Sequence, residues 1–321
     1  MAHLTFFLFF FIAAARPAAA ALFPPSAFSK AAAGTTGAAF LKIPTGARFV
    51  ALGETSSAGS QGAESVFWNP AGLGRSGLDS SPEMLLGFNN MLETSYSGSA
   101  AYLHPTSIGV FGAGILYFSQ SAQTAYTPQG DAAGTFKPYD VAVSLAYAHR
   151  IGILLFGATL KLIHSTLNEV SGSGAAADLG VQMLHITDAG EGPVDLGFNV
   201  SNLGMPLKLG AQGDPLPFNI RTGFLWHTAP FLSAGLDLNL PVDGDPYVSV
   251  GLEASAHLGV QRLLKASLRA GYSQRYTRGA SGLTGMSLGA GLDAAPFRVD
   301  YAWSPFGDLG SGNTLTLAYR F

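Results

Sequence analysis

The chain has 321 residues, with 17 Lys and Arg against 20 Asp and Glu, a formal net charge of −3 and no cysteine. A near-neutral charge without basic clusters argues against nucleic-acid binding, and the lack of cysteine excludes a disulfide scaffold, a cysteine-ligated metal site and a thiol nucleophile. Only 12% of the residues are charged, while 48% are hydrophobic and 41 are glycine, which is too little charge to cover a soluble enzyme of this size.

Residues 1–20 are predicted to be a secretory signal peptide. Residues 6–15 are apolar, and Arg16, Pro17 and four alanines follow them. An apolar stretch, a helix breaker and a run of small residues are typical of such a signal. A transmembrane helix is the alternative, but ten apolar residues are too few to span about 30 Å of hydrocarbon. We expect cleavage near Ala20 or Ala21.

Residues 21–83 do not alternate between apolar and polar positions. They contain the motif Gly46-Ala47-Arg48 and, further along, the motif Trp68-Asn69-Pro70-Ala71-Gly72-Leu73. Because proline fixes its own φ and favours an extended residue before it, the pair Asn69-Pro70 predicts a sharp helix end or start. We expect Asn69 to cap this turn, and direct contact of Asn69 with a ligand is the alternative.

From residue 84 onward the chain alternates with a period of two. Tyr139, Val141 and Val143 fall on one face of such a run, while Asp140 and Ala142 fall on the other, as expected of a β-strand. Fourteen such runs cover 84–89, 93–103, 107–119, 139–149, 153–166, 174–186, 194–202, 217–227, 231–240, 247–258, 265–274, 283–292, 297–304 and 312–321.

These runs predict an all-β fold, a transmembrane antiparallel β-barrel of about 14 strands spanning residues 84–321. Most runs have 8–14 residues, which suits a tilted strand that crosses a bilayer in about 9–11 residues. Strands of soluble proteins usually have about 5–6 residues. A soluble sandwich or barrel would show the same periodicity and is the alternative. The sequence therefore places the protein in the bacterial outer membrane, in contact with lipid.

The predicted connections alternate in length. Short turns are expected at 104–106, 150–152, 228–230 and 293–296, and longer links at 120–138, 203–216, 241–246, 275–282 and 305–311. Bacterial barrels have short periplasmic turns and longer external loops, and both ends of an even-stranded chain lie in the periplasm, so both ends of this chain are expected there. The link 120–138 is the best candidate for a loop that folds inward or contacts a substrate.

Lipid contact decides which face of each strand points outward. A charge at the bilayer midplane costs about 2–4 kcal/mol for Arg or Lys, so the apolar face is predicted to meet lipid and the charged face to line the lumen. The predicted lumen charges are Lys161, Asp195, Arg221, Asp237, Glu253, Arg269, Arg298 and Asp300. Aromatic residues near strand ends, expected at the membrane interfaces, are Trp226, Tyr247, Tyr272, Phe297, Trp303 and Phe321.

No motif supports an enzyme, and we expect no catalytic residue, metal or cofactor. Ser287 matches the pattern G-x-S-x-G but lies within a predicted strand, whereas a nucleophile elbow needs a strand-to-helix turn. Residues 72–77 match G-x-G-x-x-G without a preceding strand. The seven histidines show no ligand spacing.

The two motifs of residues 21–83 resemble the N-terminal region of the FadL-like outer-membrane transporter superfamily, most closely its PorV/PorQ branch. The motif match covers about 35 residues, and the strand pattern extends it. The resemblance implies that residues 21–83 form a hatch inside the barrel, with Gly46, Ala47, Arg48 and residues 68–73 as its signature. One departure is that Glu54 and residues 60–64 stand where the branch has a second glycine and a paired-acid stretch.

The resemblance also implies passive transport of hydrophobic small molecules. The alternative is a PorV-like component of a type IX secretion system that binds exported proteins. In the transporters a distortion of the third strand opens a lateral window, and Gly109, Gly112 and Gly114 are the candidates for it here, since glycine often marks a bulge. Tyr319 and Phe321 are expected to contact the barrel assembly machinery.

Overall fold

A computed structural model describes residues 23–24, 26–77, 80–91, 95–190, 192–210, 213–259, 263–277 and 283–321. The predicted signal peptide, residues 1–20, lies outside the described residues. No helix of the described chain is long and apolar enough to cross a membrane.

Fourteen antiparallel strands form a closed barrel in which neighbours in the chain are neighbours in space. They are β1 (Glu83–Asn90), β2 (Tyr96–Thr106), β3 (Gly109–Ser119), β6 (Tyr139–Ile151), β7 (Leu154–Leu167), β8 (Val170–Ala189), β9 (Gly192–Gly204), β12 (Asn219–Ala229), β13 (Leu232–Pro241), β14 (Tyr247–Leu258), β15 (Leu264–Ser273), β16 (Met286–Ala294), β17 (Phe297–Pro305) and β18 (Ser311–Arg320). Two small hairpins, β4 (Gln123–Tyr126) with β5 (Ala132–Phe136) and β10 (Leu207–Lys208) with β11 (Gly213–Asp214), lie in the connections.

The predicted barrel of about fourteen antiparallel strands is confirmed, and each predicted run overlaps one strand. The ring closes where β1 pairs with β18, from Glu83 with Arg320 to Asn90 with Asn313. We call the end with the short connections and these termini the turn side, and the other end the loop side. On the loop side, the link 120–138 folds into the exposed hairpin β4–β5. It does not fold inward, which was one of the two roles predicted for it.

The outer face of the barrel is apolar. Four of its leucines are each between 66% and 69% exposed: Leu145, Leu160, Leu162 and Leu268. Exposing apolar surface to water costs about 25 cal/mol per Å², so this face suits contact with lipid. A closed ring of strands leaves no unpaired edge, which is the condition for backbone to cross hydrocarbon. The predicted direction, with large apolar residues outward and charges inward, is therefore found. Tyr247 is an exception among the predicted interface aromatics, because its side chain is buried inside the barrel.

The pairing of β8 with β9 is irregular at two places. The register shifts between Ala177 and Leu179 and again between Met183 and Thr187. At the second shift His185 has φ +51°, and its N–H donates to Asp195 at 2.8 Å. Bulges of this kind bend a strand locally, and the second one brings a backbone N–H of β8 to the buried carboxylate of Asp195.

Residues 26–77, which we call the inner segment, pack against the inner face of the barrel. They include the helix α1 (Ala47–Ala51) and the 3₁₀ helices Lys30–Ala32, Ala39–Lys42, Ala63–Val66 and Pro70–Arg75. Helix α1 contacts β15 to β18, the helix Ala63–Val66 contacts β1, β2, β3 and β6, and the helix Pro70–Arg75 contacts β3 and β6 to β8. The inner segment thus reaches opposite walls of the lumen.

Glycines of the wall let the backbone of the inner segment approach closely. We call six of them the glycine belt: Gly157, Gly180, Gly197, Gly251, Gly271 and Gly289. A Cβ added at any of them would overlap an atom of the inner segment, for example the backbone of Ser57 at Gly197 or of Gly53 at Gly271. The high glycine content of the strands therefore has a packing reason.

Candidate functional site

Two cavities lie side by side in the lumen on the loop side of the inner segment. Cavity A has a volume of about 380 Å³, and cavity B about 350 Å³. Both are bordered by Lys42, Ile43, Pro44, Glu54 and Arg275. Volumes of this size fall at the lower end of the range for small-molecule pockets.

Cavity A has an apolar floor with cationic groups around it. Trp68 and Phe67 line it, and the Trp68 indole N–H donates to the carbonyl of Thr45 at 2.8 Å. The guanidinium of Arg221 lies 5.1 Å from the centre of the Trp68 ring, a cation–π distance. Lys161 also lines the cavity and pairs with Asp178 at 2.7 Å.

Cavity B is predominantly apolar. Its walls include Ile43, Val50, Phe118, Met286 and Phe306. Pockets of this kind bind mainly through apolar burial, with few polar groups to fix orientation.

A bridge of polar contacts separates the two cavities. The Arg275 guanidinium donates to the carbonyl of Lys42 at 3.0 Å and contacts Glu54 at 3.5 Å. The Tyr276 hydroxyl donates to the other carboxylate oxygen of Glu54 at 2.5 Å. Burial raises the pKa of Tyr276 well above its ordinary value, so the phenol keeps its proton for this bond. The loop-side residues Arg275 and Tyr276 are thereby tied to the inner segment.

The pairing of two neighbouring strands ends early next to cavity B. Strand β16 pairs with β15 as far as Met286, and β17 pairs with β18 as far as Pro305, but the pairing of β16 with β17 ends at Leu288 and Trp303. Proline has no N–H to extend this ladder. Met286, Ser287, Ser304 and Pro305, which we call the β16–β17 seam, all line cavity B, and Met286 is 42% exposed.

A third cavity lies on the turn side of the inner segment and is polar. Cavity C has a volume of about 270 Å³ and is lined by Arg48, Arg75, His227, Asp237 and Glu253, among others. The inner segment separates cavity C from cavities A and B, which share no lining residue with it.

Ion pairs fasten the inner segment to the strands. Arg48 contacts Glu253 at 3.1 Å, and Arg75 contacts Asp195 at 3.0 Å. Asp237 accepts hydrogen bonds from the backbone N–H groups of Ser56 and Ser57 at 2.8 and 3.0 Å. Each of these contacts involves a charged side chain, and such charge-assisted contacts are stronger than hydrogen bonds between neutral groups.

Asn69 is the N-cap of the helix Pro70–Arg75, as predicted. Its Oδ1 accepts from the N–H of Ala71 at 3.2 Å, and its amide donates to the carbonyl of Ser57 at 2.7 Å. The rest of the motif is buried with it, and the side chain of Leu73 is fully buried in an apolar cluster. Gly46, with φ +80°, precedes α1, and the N–H of Ala47 donates to the Thr316 hydroxyl at 2.8 Å.

The eight predicted lumen charges all point inward. They are Lys161, Asp195, Arg221, Asp237, Glu253, Arg269, Arg298 and Asp300, and each side chain is at least four-fifths buried. Several of them are joined in one network, since Arg269 contacts Glu253 at 2.7 Å and Asp300 at 2.6 Å.

The three glycines predicted to form a gate are not at a distortion. Strand β3 pairs with β2 from Gly109 to Ser119 and with β6 from Val110 to Ser119 in unbroken register. A Cβ at Gly112 or Gly114 would lie within 3.0 Å of Val66, so these two glycines make room for the inner segment. The bulge expected in β3 is absent, and the described interruptions lie instead at β8–β9, at β12–β13 between Trp226 and Ala229, and at the seam.

Ser287, dismissed as a nucleophile, holds the inner segment. Its hydroxyl accepts from the N–H of Gly53 and donates to the carbonyl of Ala51, both at 3.2 Å. Within the described chain, no group of three or more His, Cys, Asp or Glu is arranged to hold a metal ion.

Sequence reasoning missed several charged residues. Asp178 lies on the same face of its strand as Gly180 and Gln182, and the alternation of the predicted run 174–186 was enough to find it. Glu54, Glu64 and Arg75 belong to the inner segment, where no period exists. Their burial depends on contacts with distant strands.

The comparisons with known proteins agree with this architecture. No family model and no curated protein matches the sequence. Solved structures that match include the Pseudomonas putida toluene transporter TodX, with a TM-score of 0.61, 13% identity and 86% of this chain covered against 98% of that chain. The monoaromatic hydrocarbon channel CymD matches with a TM-score of 0.52 and 13% identity, over 87% of this chain and 98% of that chain. A Pseudomonas aeruginosa FadL homologue matches with a TM-score of 0.53 and 11% identity, over 87% of this chain and 99% of that chain. At these identities the likeness shows the fold alone, a closed β-barrel like those of the three proteins named here.

Proposed function

We propose that this protein is a bacterial outer-membrane channel for the passive transport of hydrophobic small molecules. The observation that carries the proposal is cavity B, an apolar cavity of about 350 Å³ inside a barrel whose outer face is apolar. The TodX and CymD barrels, which share the fold, are described as a toluene transporter and a monoaromatic hydrocarbon channel.

We assign the inner segment the role of a hatch. Its helices contact strands on opposite sides of the lumen, and it separates cavities A and B from cavity C. A barrel of fourteen strands is intermediate between eight-stranded barrels, which side chains fill, and sixteen-stranded porins with an aqueous channel. An occupied lumen would prevent a leak of ions and polar solutes.

Two routes out of cavity B follow from the geometry. A molecule could pass sideways through the β16–β17 seam, where the exposed Met286 connects the cavity wall to the outer face. It could also pass through the lumen after a movement of the hatch. Small neutral hydrocarbons suit both routes, because cavity B is predominantly apolar and the seam includes the apolar side chains of Met286 and Pro305.

Uptake of radiolabelled toluene into liposomes that contain the purified protein tests the proposal. We expect uptake well above that of protein-free liposomes. The variant Ile43→Trp narrows both loop-side cavities and should lower the rate several-fold. The matched control Leu145→Trp changes an outer-face residue and should leave the rate unchanged. Equal uptake with and without the protein contradicts the proposal.

A second candidate function rests on the resemblance to the PorV/PorQ branch, namely a type IX secretion component that binds exported proteins. The exposed hairpin β4–β5 on the loop side is the surface available for such a partner. Co-purification with secretion proteins, combined with no hydrocarbon uptake, would favour this function. We also propose that Tyr319 and Phe321 contact the barrel assembly machinery. Phe321 is exposed, and its ring packs edge-on against that of Tyr319 with 4.9 Å between the ring centres.

A further inference from the structure

Glu64 is a buried acid with an oxygen that lacks a donor. It lies in the 3₁₀ helix Ala63–Val66 and is 1% exposed. Within the described chain, its Oε1 is buried and has no hydrogen-bond partner. The carboxyl group fits only because residue 46 is glycine, since a Cβ there would overlap Oε1. An ionised carboxylate without a donor is very costly in such a place.

The charges around Glu64 are already balanced without it. Arg48 of α1, Arg269 of β15, and Arg298 and Asp300 of β17 act on it electrostatically, and Glu83 of β1 and Glu253 of β14 pair with these guanidinium groups. Arg48 and Arg269 contact Glu253 at 3.1 and 2.7 Å, Arg269 contacts Asp300 at 2.6 Å, and Arg298 contacts Asp300 at 3.1 Å and Glu83 at 3.9 Å. Three guanidinium groups therefore face three carboxylates, and an ionised Glu64 would add an unpaired negative charge.

We infer that Glu64 is a proton-operated lock of the inner segment, closed while its carboxyl group is neutral and released when the proton leaves. This inference rests on the proposed function, in that it assigns regulation to the proposed hatch. A neutral carboxyl group adds no charge to the balanced network and fits against Gly46. A carboxylate must move to reach water or a donor.

Because Glu64 lies in the helix Ala63–Val66 of the hatch, a movement of its carboxyl group also moves this helix. Its neighbours Ala63 and Val66 pack in an apolar cluster with Leu73, Leu85 and Leu103 beneath strands β1 to β3. A shift of this helix disturbs that cluster and loosens the partition between the loop-side cavities and cavity C.

The titration range supports this mechanism. Burial raises the pKa of Glu64 from 4.5 to about 7, and the positive charge of Arg298 opposes the rise only partly. The lock would therefore change state near neutral pH.

Cysteine labelling tests the lock directly, because the chain has no cysteine of its own. Ser65 is fully buried, and its hydroxyl has no partner within the described chain, so the variant Ser65→Cys is nearly isosteric. Its reaction with methyl methanethiosulfonate would be compared in full-length protein with and without Glu64→Gln at pH 5.5 and 8.5. The comparison at each pH removes the ordinary pH dependence of the thiol. An ionised Glu64 beside the thiol would disfavour the thiolate and slow its labelling, which is opposite to the effect expected of the lock.

We expect equal labelling rates at pH 5.5 and at least tenfold faster labelling with Glu64 than with Gln at pH 8.5. A ratio that stays the same at both pH values overturns the inference. Ser165→Cys, buried in β7, is the control, and an equal rise there would mean that the whole barrel loosens, which also overturns a local lock. Glu64→Met replaces Glu64→Gln if the latter does not fold.

Toluene uptake separates this inference from the proposed function. With both correct, uptake rises between pH 5.5 and 8.5 in the wild type and stays flat in Glu64→Gln. If no variant takes up toluene at either pH, the proposed function fails while the labelling result still decides the lock. If uptake occurs but is equally independent of pH in both proteins, the lock does not control transport and the inference fails.

Discussion

Lys161 and Asp178 form a buried ion pair inside the barrel. Their side chains are 8% and 0% exposed, and the Lys161 ammonium also donates to Asn202 at 2.9 Å. The other Asp178 oxygen accepts from the N–H of Asn202 at 2.8 Å. The pair thus fixes the irregular register between β8 and β9.

Replacing only one member of this pair should be more harmful than replacing both. Lys161→Met leaves the Asp178 charge buried without its partner and should lower the free energy of unfolding by about 3 kcal/mol. The double variant Lys161→Met/Asp178→Asn removes both charges, keeps the acceptor for Asn202 and should regain most of the loss. Urea unfolding in detergent micelles measures both values. Equal losses in the single and double variants would contradict this account.

The glycine belt supports a second prediction at the scale of single residues. In Gly271→Ala, the new Cβ meets the backbone of Leu52 and Gly53, which cannot rotate away. Overpacking of this kind costs about 1–3 kcal/mol. The matched control is Gly98→Ala in β2, where the new Cβ meets nothing within 4 Å. Thermal unfolding should show a lowered midpoint for the first variant only, and a similar midpoint in both variants would argue against the belt.

At the scale of elements, the strands could be predicted from periodicity, and the contacts of the inner segment could not. Alternation such as that of Tyr139 to Ala148 is a local property, so it predicted both the strands and the direction of their faces. The positions of Glu54, Glu64 and Ser287 depend on which distant groups they meet, and period-two patterns contain no such information. Gly112 and Gly114 of β3 show the limit clearly. Glycine can mark a bulge in a strand, but here these two glycines mark a close approach of the inner segment.

The β16–β17 seam gives a prediction for a single pair of strands. Continuing the register from Leu288 and Trp303 brings Met286 opposite Pro305. In Met286→Cys/Pro305→Cys, a short bis-methanethiosulfonate cross-linker should hold the seam closed and reduce toluene uptake, and a reducing agent should restore it. Mass spectrometry verifies the cross-link.

The control for the seam lies on the same two strands. Leu292 and Val299 are register partners with exposed side chains, so a cross-link in Leu292→Cys/Val299→Cys joins strands that are already paired. It should leave uptake unchanged. If the cross-linked seam variant transports as fast as this control, molecules do not leave through the seam.

At the scale of the whole molecule, Glu64 makes stability depend on pH. Because its pKa is raised to about 7 in the folded protein, the folded state keeps a proton that the unfolded chain loses above about pH 4.5. Stability should therefore fall between pH 4.5 and 7 by about 3 kcal/mol and change little from this group beyond that range. Glu64→Gln should remove this part of the pH dependence in thermal unfolding. A wild-type slope that persists in the variant would assign it to other groups.

The pairing of β1 with β18 has a consequence for the order in which the protein is made. Strand β1 begins at Glu83, soon after the inner segment, and its partner β18 ends at Arg320, next to the last residue. The ring cannot be sealed before β18 has been synthesised, and residues 26–77 are made before every strand of the wall that surrounds them. A chaperone or insertion factor would therefore have to protect this early-made stretch while the strands are synthesised. Loss of β18 would leave the stretch without a closed wall to pack against.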